Sequence, residues 1–165
     1  MEEIKNKVKE SGLIQLDLAQ FKPNHEIDGI DLAEQLWQGF VLKEKDFRAW
    51  VKDHPWQNYE HKAIHIYCSS DAIIPTWAYM LIASKLEKSP MVISGSAHDL
   101  EKELIRQNIM QLDPSSFKDG RVIIKGCSDI RDPEYAMVTL VRHLQAHVKS
   151  IMYGEPCSTV PIFKR

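Results

Sequence analysis

One segment decides the fold class of this chain: Ala63-Ile-His-Ile-Tyr67 followed by Cys68-Ser-Ser-Asp71-Ala-Ile-Ile-Pro75-Thr-Trp77-Ala-Tyr-Met. The apolar, β-branched run before Cys68 is typical of a buried strand. Pro75 favours the start of a helix, because the N–H group that proline lacks would be unpaired at that position anyway. The segment therefore predicts a strand, a short polar loop and a helix, in that order.

The same order of strand and helix repeats along the rest of the chain. Strands are predicted at 62–67, 91–94 and 121–126. A helix follows each of them, at 75–87, 97–111 and 133–146, and a last strand at 148–153 precedes the tail. Strands that alternate with helices along the chain indicate parallel strands joined by crossover helices. The sequence therefore predicts a single α/β domain over residues 1–165, with a three-layer α/β/α architecture and one open, mostly parallel sheet.

Several elements outside this alternation are also predicted. The segment Leu13–Leu18 alternates apolar and polar residues, which predicts an extra strand near the N-terminus of the chain. Amphipathic helices are predicted at 2–9 and at Leu42–His54. Pro161 restricts the tail to an edge strand, because proline cannot donate a hydrogen bond to a neighbouring strand. In helix 133–146, the inward face is predicted to carry Tyr135, Val138, Val141 and Leu144.

Composition and charge exclude several classes of protein. The net charge of −2 and the lack of a basic run argue against nucleic acid as a partner. No apolar segment reaches the roughly 18–20 residues that cross a membrane. The first residues carry no apolar signal segment, so we expect a cytoplasmic protein. Self-association is left open.

The cysteines give the strongest functional hypothesis. All three lie just beyond the carboxyl end of a predicted strand, and a serine follows each: Cys68, Cys127 and Cys157. If the strands are parallel, the thiols share one edge of the sheet, where open α/β sheets bind ligands. Three thiolates suit zinc or an iron–sulfur cluster. The sequence therefore predicts a metal or iron–sulfur site, with Asp71, Glu155 or His98 as a fourth ligand or in support of the ligands.

Two other functions remain open at this stage. Cys68 could be a nucleophile or sulfur carrier, because a thiol at the start of a helix is favoured as thiolate. Alternatively, the cysteines are core residues, and the protein is an adaptor that presents the edge of its sheet and its tail to a partner.

The chain also resembles a bacterial family of unknown function, domain of unknown function 2480. The resemblance is carried by the segment Cys68–Met80, by Ile123-Ile-Lys-Gly-Cys127 and by Lys149–Lys164, of which Gly154–Lys164 is the most specific part. Family members are often encoded beside iron–sulfur assembly factors, so the resemblance implies a role in handling iron, sulfur or a cluster, with iron–sulfur assembly proteins as partners. The family pattern has no histidine at position 98, which makes His98 the weakest candidate ligand.

Overall fold

The computed structural model describes residues 13–126, 129–155 and 157–165. The predicted helix at 2–9 lies outside these residues. Four α-helices are present in the described part of the chain: α1 (Glu44–Asp53), α2 (Thr76–Lys85), α3 (Ala97–Met110) and α4 (Pro133–Leu144). The seven strands there are β1 (Leu13–Asp17), β2 (Ile27–Asp31), β3 (Ala63–Tyr67), β4 (Val92–Ser94), β5 (Arg121–Lys125), β6 (Ser150–Glu155) and β7 (Ser158–Lys164).

The strands form two sheets, not the single sheet that was predicted. One sheet has the order β2-β3-β4 with all strands parallel, and the other has the order β1-β5-β6-β7. In the second sheet β1, β5 and β6 are parallel, and β7 is antiparallel to β6. The α/β class and the mostly parallel pairing are therefore confirmed. The three-layer arrangement and the expectation of one domain stay predictions.

The chain divides into two compact units, each with its own sheet. Among the described residues, unit 1 comprises those up to Pro23 and from Lys102 onward, and unit 2 comprises residues 24–101, so the division falls within α3. The predicted extra strand near the N-terminus is confirmed as β1, an edge strand paired with β5 in unit 1.

Unit 2 is built from two consecutive crossovers, β2-α1-β3 and β3-α2-β4. Ile64 and Ile66 of β3 pack with α1 and α2 in one buried cluster. Because side chains alternate along a strand, His65 and Tyr67 belong to the opposite face, where their rings stack with centroids 4.9 Å apart. The two helices therefore cover one face of the sheet through the even-numbered residues of β3.

Unit 1 has a separate core between α4 and its sheet. Ala136, Leu140 and Leu144 of α4 are fully buried, at a spacing of four residues. Val138, which was predicted to point inward, is 64% exposed, so that prediction is wrong. The tail forms β7 at the edge of the sheet and carries Pro161 there, which confirms the prediction of an edge strand.

Candidate functional site

The carboxyl edge of the three-stranded sheet carries a groove, which we call the Cys68 groove. It has a volume of about 510 Å³ and lies beyond the ends of β3 and β4. Pockets of this size commonly hold small molecules, and ligands of open parallel sheets bind at this edge. The residues that line it are Ile66, Tyr67, Cys68, Thr76, Tyr79, Ser94 and Gly95.

The Cys68 side chain lies half-buried in this groove, against the helix layer of unit 2. Its Sγ atom is 3.5 Å from the carbonyl oxygen of Ser70 and 3.4 Å from the Ser70 hydroxyl. It is a free cysteine. The strand–loop–helix order of the sequence thus places a thiol between β3 and α2, as predicted.

The loop that holds Cys68 is fixed to the neighbouring strand by Asp31. The Asp31 carboxylate, at the end of β2, accepts hydrogen bonds from the backbone N–H of Ser69 at 3.0 Å and from its hydroxyl at 2.5 Å. It also accepts one from the N–H of Ala33. Burial raises the pKa of Asp31, but these hydrogen bonds outweigh burial, and the net pKa is lower than the ordinary 3.8. The Asp31 side chain is therefore ionised near neutral pH, and it positions the loop that carries Cys68.

A second hydrogen-bonded structure fixes the other side of the groove, after β4. The backbone N–H and the hydroxyl of Ser96 donate to the Asp99 carboxylate at 2.8 and 2.7 Å, and the Asp99 N–H donates to the Ser96 hydroxyl at 3.1 Å. This reciprocal pair is a capping box, which starts α3 one residue after Ser96. It makes Ser96 the N-cap residue of α3.

The groove offers neutral polar groups. Hydroxyls of Thr76, Tyr79 and Ser94 accompany the Cys68 thiol, and none of the described residues that line the groove is an acid, a base or a histidine. Burial raises the pKa of Tyr79 above its ordinary value, and negative charge on Cys68 raises it further. Tyr79 therefore stays protonated near neutral pH and can donate a hydrogen bond.

The predicted three-cysteine site is not supported. Within the described residues, no group of three or more His, Cys, Asp or Glu side chains could hold a metal ion. Cys68 belongs to unit 2, Cys157 belongs to unit 1, and Cys127 lies outside the described residues. The predicted function, a metal- or iron–sulfur-binding protein with a three-cysteine site, is therefore wrong. The cofactor itself, zinc or an iron–sulfur cluster, stays a prediction.

The physical reason is the division of the strands between two sheets. The prediction assumed one sheet with one carboxyl edge, but β3 and β6 belong to different sheets. In addition, β6 pairs with β7 from Glu155 and Ser158 onward, so Cys157 is an exposed residue of the β6–β7 hairpin.

The predicted additional ligands occupy three separate elements. Asp71 is exposed in the segment between β3 and α2, and His98 is in the first turn of α3. Glu155 ends β6, and its carboxylate is 3.8 Å from the Lys125 amino group. Neither the nucleophile hypothesis for Cys68 nor the adaptor hypothesis is tested by these positions.

Sequence reasoning missed two parts of the molecule that form concave surfaces. Thr76 and Tyr79 fall within the predicted helix 75–87, and their spacing of three residues places both hydroxyls on one side of α2. The second surface, which we call the α4 groove, is an apolar depression of about 580 Å³ in unit 1. Its lining residues are Ile124, Pro133, Glu134, Met137, Val138, Val141, Arg142, Ile151, Met152, Tyr153 and Ile162.

The fold and the Cys68 groove define an α/β protein with a ligand-sized groove at the carboxyl edge of a parallel sheet. The comparison with protein families identifies the family of the chain. The model of the family described as "Protein of unknown function (DUF2480)" matches residues 2–165, and the chain belongs to this family. The searches of curated proteins and of solved structures each gave no match. Within the described residues, no helix is both long and apolar enough to cross a membrane.

Proposed function

We propose that this protein binds a small, uncharged polar molecule in the Cys68 groove. The observation that carries the proposal is the position of this groove beyond the ends of two parallel strands, with a thiol and three hydroxyls on its walls. Two independent hydrogen-bonded structures, one centred on Asp31 and one on Ser96 and Asp99, hold its loops in place. Loops that are fixed in this way bind a ligand with little loss of conformational entropy.

The chemistry of the walls selects the class of ligand. An anion would find no lysine, arginine or histidine among the described lining residues, and a cation would find no carboxylate there. Burying an unpaired charge in such a site costs much more than burying a hydroxyl or carbonyl group that is hydrogen-bonded. Tyr79, Thr76 and Ser94 can pair with such groups, while Ile66 provides apolar contact. The ligand we expect combines hydroxyl or carbonyl groups with a small apolar part.

A thermal-shift screen with three sets of small molecules tests the class of ligand. The sets are uncharged polyols and amides, carboxylic acids, and amines, each of the same size range. We expect stabilisation of the wild-type protein by members of the uncharged set. Tyr79→Phe and Ser94→Ala should each weaken binding of such a molecule by about 5- to 10-fold, the value of one hydrogen bond. Tyr135→Phe, in unit 1, is the matched control and should leave binding unchanged.

Protection of Cys68 from alkylation tests the place of binding. In a Cys127→Ser/Cys157→Ser background, Cys68 is the one remaining thiol of the three in the sequence, so iodoacetamide labelling reports on this groove. A molecule that binds there should slow the labelling. The proposal fails if the molecules that bind leave the labelling rate unchanged, or if Tyr79→Phe and Ser94→Ala bind them as wild type does.

Two predictions from the sequence stay open beside this proposal. A cytoplasmic location stays a prediction, and so does association with iron–sulfur assembly proteins, which the family resemblance implies. Neither depends on the ligand of the Cys68 groove.

A further inference from the structure

Helix α4 has more apolar surface than its own sheet covers. Leu140 and its neighbours one turn away fill the core of unit 1, but Val138 on another side of the helix is 64% exposed. Tyr153 and Ile162, from β6 and β7, line the same α4 groove and are 41% and 50% exposed. Exposed apolar residues that gather in one depression, unlike scattered ones, mark an interaction surface.

Glu134, Val138 and Arg142 form a stripe along one side of α4, and the charges at its two ends are opposite in sign. Glu134 lies four residues before Val138, and Arg142 lies four residues after it. Both side chains are exposed, and both line the α4 groove. Neither makes an ion pair with another residue in the described ranges. The stripe therefore reads as acidic, apolar and basic from one end of the helix to the other.

Such a stripe is complementary to itself. In a two-fold symmetric pair, each residue faces a residue of the other copy, and the reverse contact occurs as well. If two α4 helices cross antiparallel at Val138, Glu134 of each copy faces Arg142 of the other, because both lie four residues from the axis. The opposed helix dipoles of an antiparallel pair are also favourable. A partner of unrelated sequence would not require the two charges to be spaced equally about the exposed valine.

We propose that two copies of this chain pair through their α4 grooves, with the α4 helices antiparallel and crossing at Val138. Val138, Tyr153 and Ile162 supply the apolar centre, and two Glu134–Arg142 ion pairs flank it. This inference is independent of the ligand proposed for the Cys68 groove, because every residue that it uses belongs to unit 1.

Charge-reversal variants give the sharpest test. Sedimentation velocity over a range of concentrations should show wild-type protein passing from 19.0 kDa monomers to dimers of twice that mass. Glu134→Arg alone and Arg142→Glu alone each create two like-charge contacts across the axis, and each should raise the dissociation constant at least about tenfold. When the two variants are mixed, every contact again joins opposite charges. The mixture should therefore form heterodimers about as tightly as wild type.

A second pair of variants tests the apolar centre. Val138→Asp places two carboxylates at the axis and should abolish the dimer. Met80→Asp is the matched control, because Met80 is 67% exposed and belongs to unit 2, and it should leave the dimer intact. Far-UV circular dichroism of each variant shows whether the fold is retained.

Three results would overturn the proposal. One is a wild-type protein that stays monomeric up to several hundred micromolar, whether or not the groove then binds an apolar dye or another protein. Another is a dimer that none of the charge variants weakens. The third is a pair of weakened, folded variants whose mixture fails to recover association.

Discussion

The carboxylate of Asp31 and the backbone and hydroxyl of Ser69 join two neighbouring strands of unit 2 at their carboxyl ends. The two residues are 38 positions apart in the chain, and the N–H of Ser69 lies 3.0 Å from the nearer carboxylate oxygen. Because Ser69 follows Cys68 directly, this contact fixes the loop that carries the thiol. It connects the end of β2 to the Cys68 groove.

Removal of the Asp31 carboxylate should therefore loosen the loop. Asp31→Ala loses the acceptor for three hydrogen bonds, and we expect a loss of about 1–3 kcal/mol in the free energy of unfolding. Alkylation of Cys68 should become faster. Asp113→Ala is the control, since the hydrogen bonds that the Asp113 carboxylate accepts in the described part of the chain are local and come from Ser115, two residues away. Urea denaturation and iodoacetamide labelling measure the two effects, and unchanged labelling of Cys68 would contradict the role given to Asp31.

The same carboxylate makes stability depend on pH in the acid range. The pKa of Asp31 in the folded protein is lower than the ordinary 3.8. Its contribution to stability is therefore fully present above pH 3.8, and it is lost as the pH falls below 3.8 through the folded-state pKa. Asp31→Asn should flatten this part of the stability curve relative to wild type. Equal slopes for the two proteins below pH 3.8 would show that Asp31 is not held as a carboxylate.

His54 should give a second dependence on pH, near neutrality. Its ring lies 4.7 Å from that of Trp50 and 4.5 Å from that of Trp56, and burial lowers its pKa below 6.5. The folded protein therefore resists protonation of His54 more than the unfolded chain does. Its stability should fall as the pH decreases through 6.5 toward the lower folded-state pKa.

Tryptophan fluorescence during urea denaturation, repeated across this pH range, measures the effect. The fall in stability should be smaller in His54→Gln than in wild type. His25→Gln replaces an exposed histidine and should keep the wild-type dependence. If both variants behave alike, the pH dependence arises elsewhere.

Gly154 should be intolerant of any side chain. Its φ angle is +119°, and a Cβ atom there would lie 2.6 Å from the carbonyl oxygen of Ser158 across the β6–β7 hairpin. We expect Gly154→Ala to lower the free energy of unfolding by about 2–4 kcal/mol, because backbone strain and the clash act together. Gly39→Ala separates the two terms, because Gly39 has a φ of +77° but no atom near its would-be Cβ. Gly39→Ala should lower the free energy of unfolding by only about 1 kcal/mol. Equal losses for the two variants in thermal unfolding would argue against the clash at Gly154.

The two sides of α4 should respond differently to truncation. Leu140 is fully buried and Val138 is 64% exposed. Leu140→Ala should lower the free energy of unfolding by about 2–5 kcal/mol because it leaves a cavity in the core. Val138→Ala should change the free energy of unfolding by less than about 0.5 kcal/mol in dilute protein. Chemical denaturation of both variants at low micromolar concentration checks this, and a large loss for Val138→Ala would restore the inward orientation first predicted for it.

Local sequence determined the elements and the class of this fold. The run Ala63–Tyr67 and the proline before Thr76 were sufficient to predict β3 and α2, because strand periodicity and helix initiation depend on neighbouring residues. The same holds for the edge strand around Pro161. The position of Cys68 at a strand end followed directly from these elements.

Only the tertiary structure decided which strands share a sheet. The sequence marks the ends of β3 and β6 in the same way, yet β3 pairs with β2 and β4, while β6 pairs with β5 and β7. Pairing between distant strands depends on how whole elements pack, and no local pattern records it. The same reason explains Val138: its spacing fits an inward helix face, but the sheet of unit 1 covers the stripe of Ala136, Leu140 and Leu144 instead.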